Sequence, residues 1–433
     1  EETLLLSFLV VTSLLAIKYS KFKLFMLSKL VFKNTFLFLV LLIFSCGNSV
    51  KNREKTEQNL ETRISLKKPL PKEIKTGADN YETYLPLLIN KKIGIVTNQS
   101  GILKDGMHVV DFLISKQITL QKIFAPEHGF RGTADAGEVV KDGKDLKTDL
   151  PIISLYGNNK KPTSEQLTDI DVLVFDLQDV GARFYTYISS LHYIMEACAE
   201  NNIPLIILDR PNPNGNIIDG PILEEEHYSF VGMHTIPVLH GMTIGEYAKM
   251  INGQKWLKNG IQCELTIIPC QNYNRTLFHD LPVKPSPNLP NAQSINLYAS
   301  LCFFEGTNIS VGRGTELQFQ IYGSPYLPKS NFSFTPKPNN GAKEPLYNGK
   351  LCYGEDLTQI KKVTQLELKW LIKAYNQTTD KSKFFNSFFT KLAGTKKLQE
   401  QIEKGVTENE IRLSWVKGLN EFKEMRNKYL IYK

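Results

Sequence analysis

Short apolar runs alternate with helix-forming stretches between residues 92 and 268, and this alternation restricts the fold more than any other feature of the chain. Residues 92–97, 118–125, 151–155, 171–177, 203–208 and 265–268 read as buried strands, with helices expected over 109–115 and 184–200. Strands this short and continuously apolar have no polar face to turn to water. They fit a parallel sheet covered by helices on both sides, so the expected class is a doubly wound, Rossmann-like α/β domain. Beyond about Pro282 the pattern changes. A proline-punctuated loop leads into a helix-like stretch, a Gly-rich polar loop and a helical tail. Two capping boxes, Thr364 with Glu367 and Thr407 with Glu410, are read as opening helices over 366–375 and 411–429. These features predict a smaller α+β domain after the first, with the active site in the cleft between them.

Ligands of such sheets bind beyond the carboxyl ends of the strands. The residues following four of the runs are Asn98-Gln99-Ser100, Glu127-His128-Gly129, Asp176 through Gln178, Asp179 and Arg183 to Tyr185, and Asp209-Arg210-Pro211-Asn212. Carboxylates, amides and guanidinium groups would therefore converge on one edge and wall a polar pocket. The chemistry is not that of a nucleotide site, because neither GxGxxG nor GxxxxGK[ST] is present. No metal is expected either: His128, His234 and His240 are widely spaced and there is no HExxH. No cofactor is called for. The formal charge of +8 is spread without a basic tract, which argues against nucleic acid as a partner. Ser65-Leu-Lys-Lys68, Ser286-Pro-Asn288 and Lys75-Thr-Gly77 imitate a serine acyl-transfer site, but the first and third lie too close together for that geometry.

The amino-terminal region carries a targeting pattern. From Met26, the lysines Lys29 and Lys33 precede an apolar run over 35–45 that ends at Cys46, the form of a lipoprotein signal with Cys46 as the lipidated residue. A second apolar run over 4–17 leaves an amino-terminal membrane anchor as the alternative; both put the body outside the cytoplasm, on a bacterial membrane facing the periplasm or cell surface. The expected organisation is an upstream segment and signal at 1–45, a flexible tether at 46–80, the Rossmann-like domain at 81–283 and the auxiliary domain at 284–433. Cys263 and Cys270 could pair as a disulfide.

PEHGFRG at 126–132, DLQDVGARFYTY at 176–187, DRPNPNG at 209–215, GMTIGE at 241–246, SPNLP at 286–290 and FEGTNISVGRGT at 304–315 together resemble the exo-β-N-acetylmuramidases of the NamZ type. The resemblance covers roughly residues 81–433. It implies a glycosidase that releases N-acetylmuramic acid (MurNAc) from the non-reducing end of peptidoglycan fragments in cell-wall recycling. Glycoside cleavage needs a proton donor at the leaving oxygen and a group that stabilises or attacks the anomeric carbon. Glu127, beside His128 and near Phe124 and Phe130, is the choice for the donor. Asp179, Asp176 and Glu305 are open for the second role, as is the substrate's own acetamido oxygen. Asn98, Asp176, Gln178, Tyr185, Asp209 and Asn212 are candidate sugar-hydroxyl partners. One of Arg131, Arg183, Arg210 or Arg313 would pair with the lactyl carboxylate that distinguishes MurNAc. The rival readings are a non-catalytic sugar-binding lipoprotein and a serine esterase or amidase using a residue such as Ser100.

Overall fold

β1 (Lys92–Thr97) lies at the middle of a seven-stranded sheet, where its residues from Ile93 to Thr97 are buried. The computed structural model describes residues 73–130, 142–276 and 279–433, so Cys46, the signal-like segment and Arg131 lie outside the described residues. The other strands of this sheet are β2 (Thr119–Ala125), β3 (Gly143–Lys144), β4 (Pro151–Ser154), β5 (Val172–Asp176), β6 (Leu205–Leu208) and β7 (Leu265–Ile268). Their order is β3-β4-β2-β1-β5-β6-β7, and all pairings are parallel except the short edge pair of β3 with β4. Every residue of β5 and β6 is buried, as continuous apolar strands in a covered parallel sheet must be.

Helices Val109–Ser115 and Tyr187–Asn201 follow β1 and β5 and cover the sheet. The second starts three residues later than the apolar pattern suggested, with Thr186 as its N-cap. It ends where Asn202 turns left-handed at φ 54°.

The second half contains a small antiparallel sheet of β8 (Ile321–Ser324), β9 (Ser333–Phe334) and β10 (Cys352–Asp356), in the order β8-β10-β9. Helices Ala292–Leu301, Lys369–Gln377, Phe388–Ala393, Lys397–Glu403 and Glu408–Asn427 accompany it. A single apolar core runs from Val96 and Phe175 of the large sheet through Phe303 and Phe389 to Phe422. The two halves are thus packed as one body rather than meeting only at a rim.

Three local expectations require correction. The Thr407–Glu410 capping box forms, but the one at Thr364–Glu367 does not, and that helix begins only at Lys369. Its approach is held by tertiary partners instead: Asp219, Ser300 and Glu408 side chains accept from the backbone N–H groups of Leu366, Glu367 and Leu368. The final residues of the expected tether are docked, not loose. Lys75 exchanges backbone hydrogen bonds with Gln271, and the Gly77 N–H donates to the Asp209 carbonyl over 2.7 Å. Gly77 approaches so closely that a Cβ there would lie 2.4 Å from Asp209 N. Cys263 and Cys270 are both free thiols, and Cys270 Sγ donates to the Asp209 carbonyl at 3.2 Å.

Candidate active site

Beyond the carboxyl ends of the strands, the first wall of a cavity is built by the turn after β2. The Pro126 carbonyl accepts from the Gly129 N–H at 3.0 Å, and His128 and Gly129 both have φ of 73°. A left-handed residue other than glycine is uncommon, and His is among the types that adopt this conformation most often. His128 is buried and lines the cavity with Glu127. Thr186 Oγ1 donates to Glu127 Oε2 at 3.0 Å. Tyr187 O–H points to the Glu127 carbonyl at 3.5 Å and accepts from Asn98 Nδ2 at 2.6 Å. Burial, and then the Glu127 charge, push the Tyr187 phenol well up, so it remains a neutral donor.

Further lining of the cavity comes from the second half of the chain. The helix Ala292–Leu301 and the turn after it supply Tyr298, Cys302 and Glu305, while the Gly-rich loop supplies Arg313 and Phe319. Arg313 Nε donates to Glu305 Oε1 at 2.5 Å, and its guanidinium lies 5.1 Å from the centre of the Phe319 ring. Cys302 Sγ reaches Glu305 Oε2 at 3.6 Å. The cavity has a volume of about 770 Å³. Tyr185 also lines it and is anchored by its hydroxyl to the Pro285 carbonyl at 2.8 Å.

Among the residues singled out from sequence, Glu127, His128, Tyr185, Glu305 and Arg313 therefore share one cavity. The others, Arg131 and Cys46 aside, which lie outside the described residues, are engaged in holds within the fold. Arg210 forks onto Asp176 at 2.6 and 2.9 Å and also donates to the Ile102 carbonyl, so this Arg–Asp pair is spent within the fold. Arg183 is fully buried and donates to the carbonyls of Pro221, Ile236, Leu392 and Ala393. Gln178 bridges the carbonyls of Asp179 and Pro211, and Asn212 holds Met242 O and Asn214 N. Asp209 accepts from Thr243, Gly245 and Tyr432, tying the carboxyl-terminal residues to the sheet edge. Asp179 accepts from Gly181 N at 2.6 Å and faces the buried His240 at 3.7 Å. Ser100 Oγ donates to Asn98 Oδ1 at 2.6 Å and accepts from Gln178 N at 3.1 Å, which leaves it no nucleophile's geometry.

Sequence reasoning missed Thr186, Tyr187, Tyr298, Lys343 and Glu344, all of which line the cavity. Thr186 and Tyr187 lay inside the motif at 176–187, so their position was available although their direction was not. Lys343 and Glu344 sit in a loop with no motif to mark them.

Residues 93–293 match the family model of the amino-terminal domain of the exo-beta-N-acetylmuramidase NamZ, and residues 296–432 match the model of its carboxyl-terminal domain. The chain is 40% identical over 399 residues to the peptidoglycan beta-N-acetylmuramidase NamZ of Bacillus subtilis (strain 168), covering 85% of this chain and 93% of that protein. A crystal structure of a DUF1343 family protein from Bacteroides fragilis NCTC 9343 matches with a TM-score of 0.77 at 42% identity, over 83% of this chain and 99% of that one. A second protein of that family from the same organism matches with a TM-score of 0.71 at 28% identity, over 84% and 100% of the two chains. Both halves of the family are matched in order, and the chain belongs to the exo-β-N-acetylmuramidase NamZ family.

Proposed function

We propose that this chain, a glycosidase by family, releases MurNAc from the non-reducing end of peptidoglycan fragments in the turnover and recycling of cell wall. The observation that carries the reading is that two held carboxylates line one cavity: Glu127, fixed by Thr186, and Glu305, fixed by Arg313. Glycoside hydrolysis asks for two such groups, one to protonate the leaving oxygen and one to meet the charge that develops at the anomeric carbon. Glu127 is assigned the proton. Glu305, or the acetamido oxygen of the sugar itself, answers the developing charge; Asp176 and Asp179 do not line the cavity. Tyr185 and Tyr298 give the cavity lining aromatic character that suits the apolar side of a pyranose ring, and the cavity volume lies in the ordinary range for small-ligand sites. Incubation with the disaccharide MurNAc-GlcNAc should liberate free MurNAc. Binding of the disaccharide with no product would turn the reading to a non-catalytic cell-wall sugar-binding protein.

Export and a lipid anchor belong to the same proposal and rest on the sequence, where Lys29, Lys33 and the apolar run lead to Cys46. Lipid labelling of the wild type but not of Cys46→Ala is the expected result, and equal labelling of both would reject the anchor.

A further inference from the structure

We propose that Arg313 reads the lactyl carboxylate of the substrate and thereby sets the preference for MurNAc over sugars that lack it; this rests on the muramidase reading of the cavity. Of the guanidinium groups named from sequence, Arg183 and Arg210 are consumed by backbone carbonyls and by Asp176. Arg313 is different. Its Nε edge is held by Glu305, its plane rests near the Phe319 ring, and it lines the cavity. The two terminal nitrogens make no hydrogen bond to any described residue, and neither is sealed from solvent.

This is the state in which a guanidinium binds a carboxylate most specifically. The anchored Nε and the neighbouring Phe319 ring restrict the guanidinium before the ligand arrives, so less side-chain freedom remains to be lost. The open end presents two parallel N–H donors, the match for the two oxygens of a carboxylate. Glu305 does not cancel the interaction, because it occupies the Nε edge and leaves the other end of the fork. Lys343 also lines the cavity, but a lysine is a point charge on a long stem and lacks the planar match.

The test compares p-nitrophenyl β-MurNAc with its lactyl methyl ester, which keeps the shape and removes the charge. Wild type should prefer the free acid, and Arg313→Met, which also releases Glu305 and so slows both substrates, should lose about ten- to a hundredfold more in kcat/KM on the acid than on the ester. Arg313→Lys, which retains a cation for Glu305, should fall between them, and Lys343→Met should keep the wild-type preference. Equal losses on acid and ester in both Arg313 variants, or an undiminished preference, would overturn the assignment. The affinities of MurNAc and its methyl ester, measured by calorimetry, decide the same question without turnover. Wild type that cleaves neither substrate would reject the muramidase reading while the calorimetric comparison still judged Arg313.

Discussion

Thr186 donates its hydroxyl to Glu127 Oε2 over 3.0 Å, although Thr186 is also the N-cap of the helix Tyr187–Asn201. An N-cap threonine ordinarily accepts from an N–H of the first turn, an interaction worth about 1 kcal/mol. Here that cap bond is not made. The hydroxyl donates to a carboxyl on the cavity wall instead, so if Glu127 is the proposed proton donor, Thr186 positions it. Thr186→Val keeps the shape and removes the donor. It should lower kcat about tenfold, the scale of one hydrogen bond, with KM nearly unchanged and thermal stability held because no cap bond is lost. Thr186→Ser should restore the rate. A Val variant with wild-type kcat would show that the contact is only incidental.

Arg183 makes the opposite kind of claim. Its four carbonyl partners come from the segment around Pro221 and Ile236 and from the end of the helix Phe388–Ala393, so one side chain joins both halves of the molecule. Arg183→Met leaves those carbonyls without donors in a site closed to water. The expected cost is about 3 kcal/mol or more, read as a shift in the urea midpoint with the acid-over-ester preference intact. A stable variant with altered preference would contradict the assignment.

The same residue shows how far the sequence could be read. Strand positions were legible because a buried parallel strand has to be apolar along its whole length, and the observed β2, β5 and β7 fall within or on the expected runs. The edge that carries the polar loops followed from the sheet rule. Sequence gives a side chain's type and not its direction, however. Arg183, Arg210, Asn98 and Gln178 have the chemistry of sugar ligands, yet each is turned inward onto backbone or a buried partner. The Thr364 box failed for a related reason: local capping lost to tertiary acceptors on Asp219, Ser300 and Glu408, all distant in sequence. Glu344 was illegible because nothing local marks a loop residue that reaches a cavity only after folding.

Asp179 and His240 give a stability prediction with a definite sign. Burial pushes the Asp179 carboxyl from 3.8 up to about 7, against the opposing backbone N–H groups of Gly181 and Val180, and burial pushes His240 from 6.5 down to about 3. The two lie 3.7 Å apart and would attract if both were charged, but desolvation favours the neutral form of each. A carboxyl raised in the folded state contributes stability that is fully present below its unfolded value near 3.8 and is lost as pH rises through about 7. Asp179→Asn removes that dependence. At about 1.4 kcal/mol per unit the variant should gain on wild type by as much as roughly 4 kcal/mol between pH 4 and pH 8. His240, depressed in the fold, acts the other way below its unfolded value and is common to both proteins. Urea unfolding at intervals across that window measures the difference; parallel curves would mean that Asp179 carries no such burden.

Glu127→Gln decides whether the proton donor has been identified. The turn that carries Glu127 is closed by the backbone bond from Gly129 to Pro126, and Gln retains an oxygen to accept from Thr186, so the substitution should preserve the loop and the affinity for sugar. It cannot supply a proton. Departure of a sugar hydroxyl requires one, so turnover of MurNAc-GlcNAc should fall by about 10² to 10⁴. An aryl glycoside leaves as a phenolate that needs little protonation, and its cleavage should suffer far less from the same change. A residue that only braced the turn would behave otherwise: its loss would lower the melting temperature and reduce both substrates by the same factor. The ratio of the two losses therefore separates the roles, because a uniform defect of folding or binding cancels in it while a missing proton does not. A ratio near one, with the fold intact, would remove Glu127 from the acid role and leave Glu305 as the next carboxyl on the cavity wall to be tested in the same way.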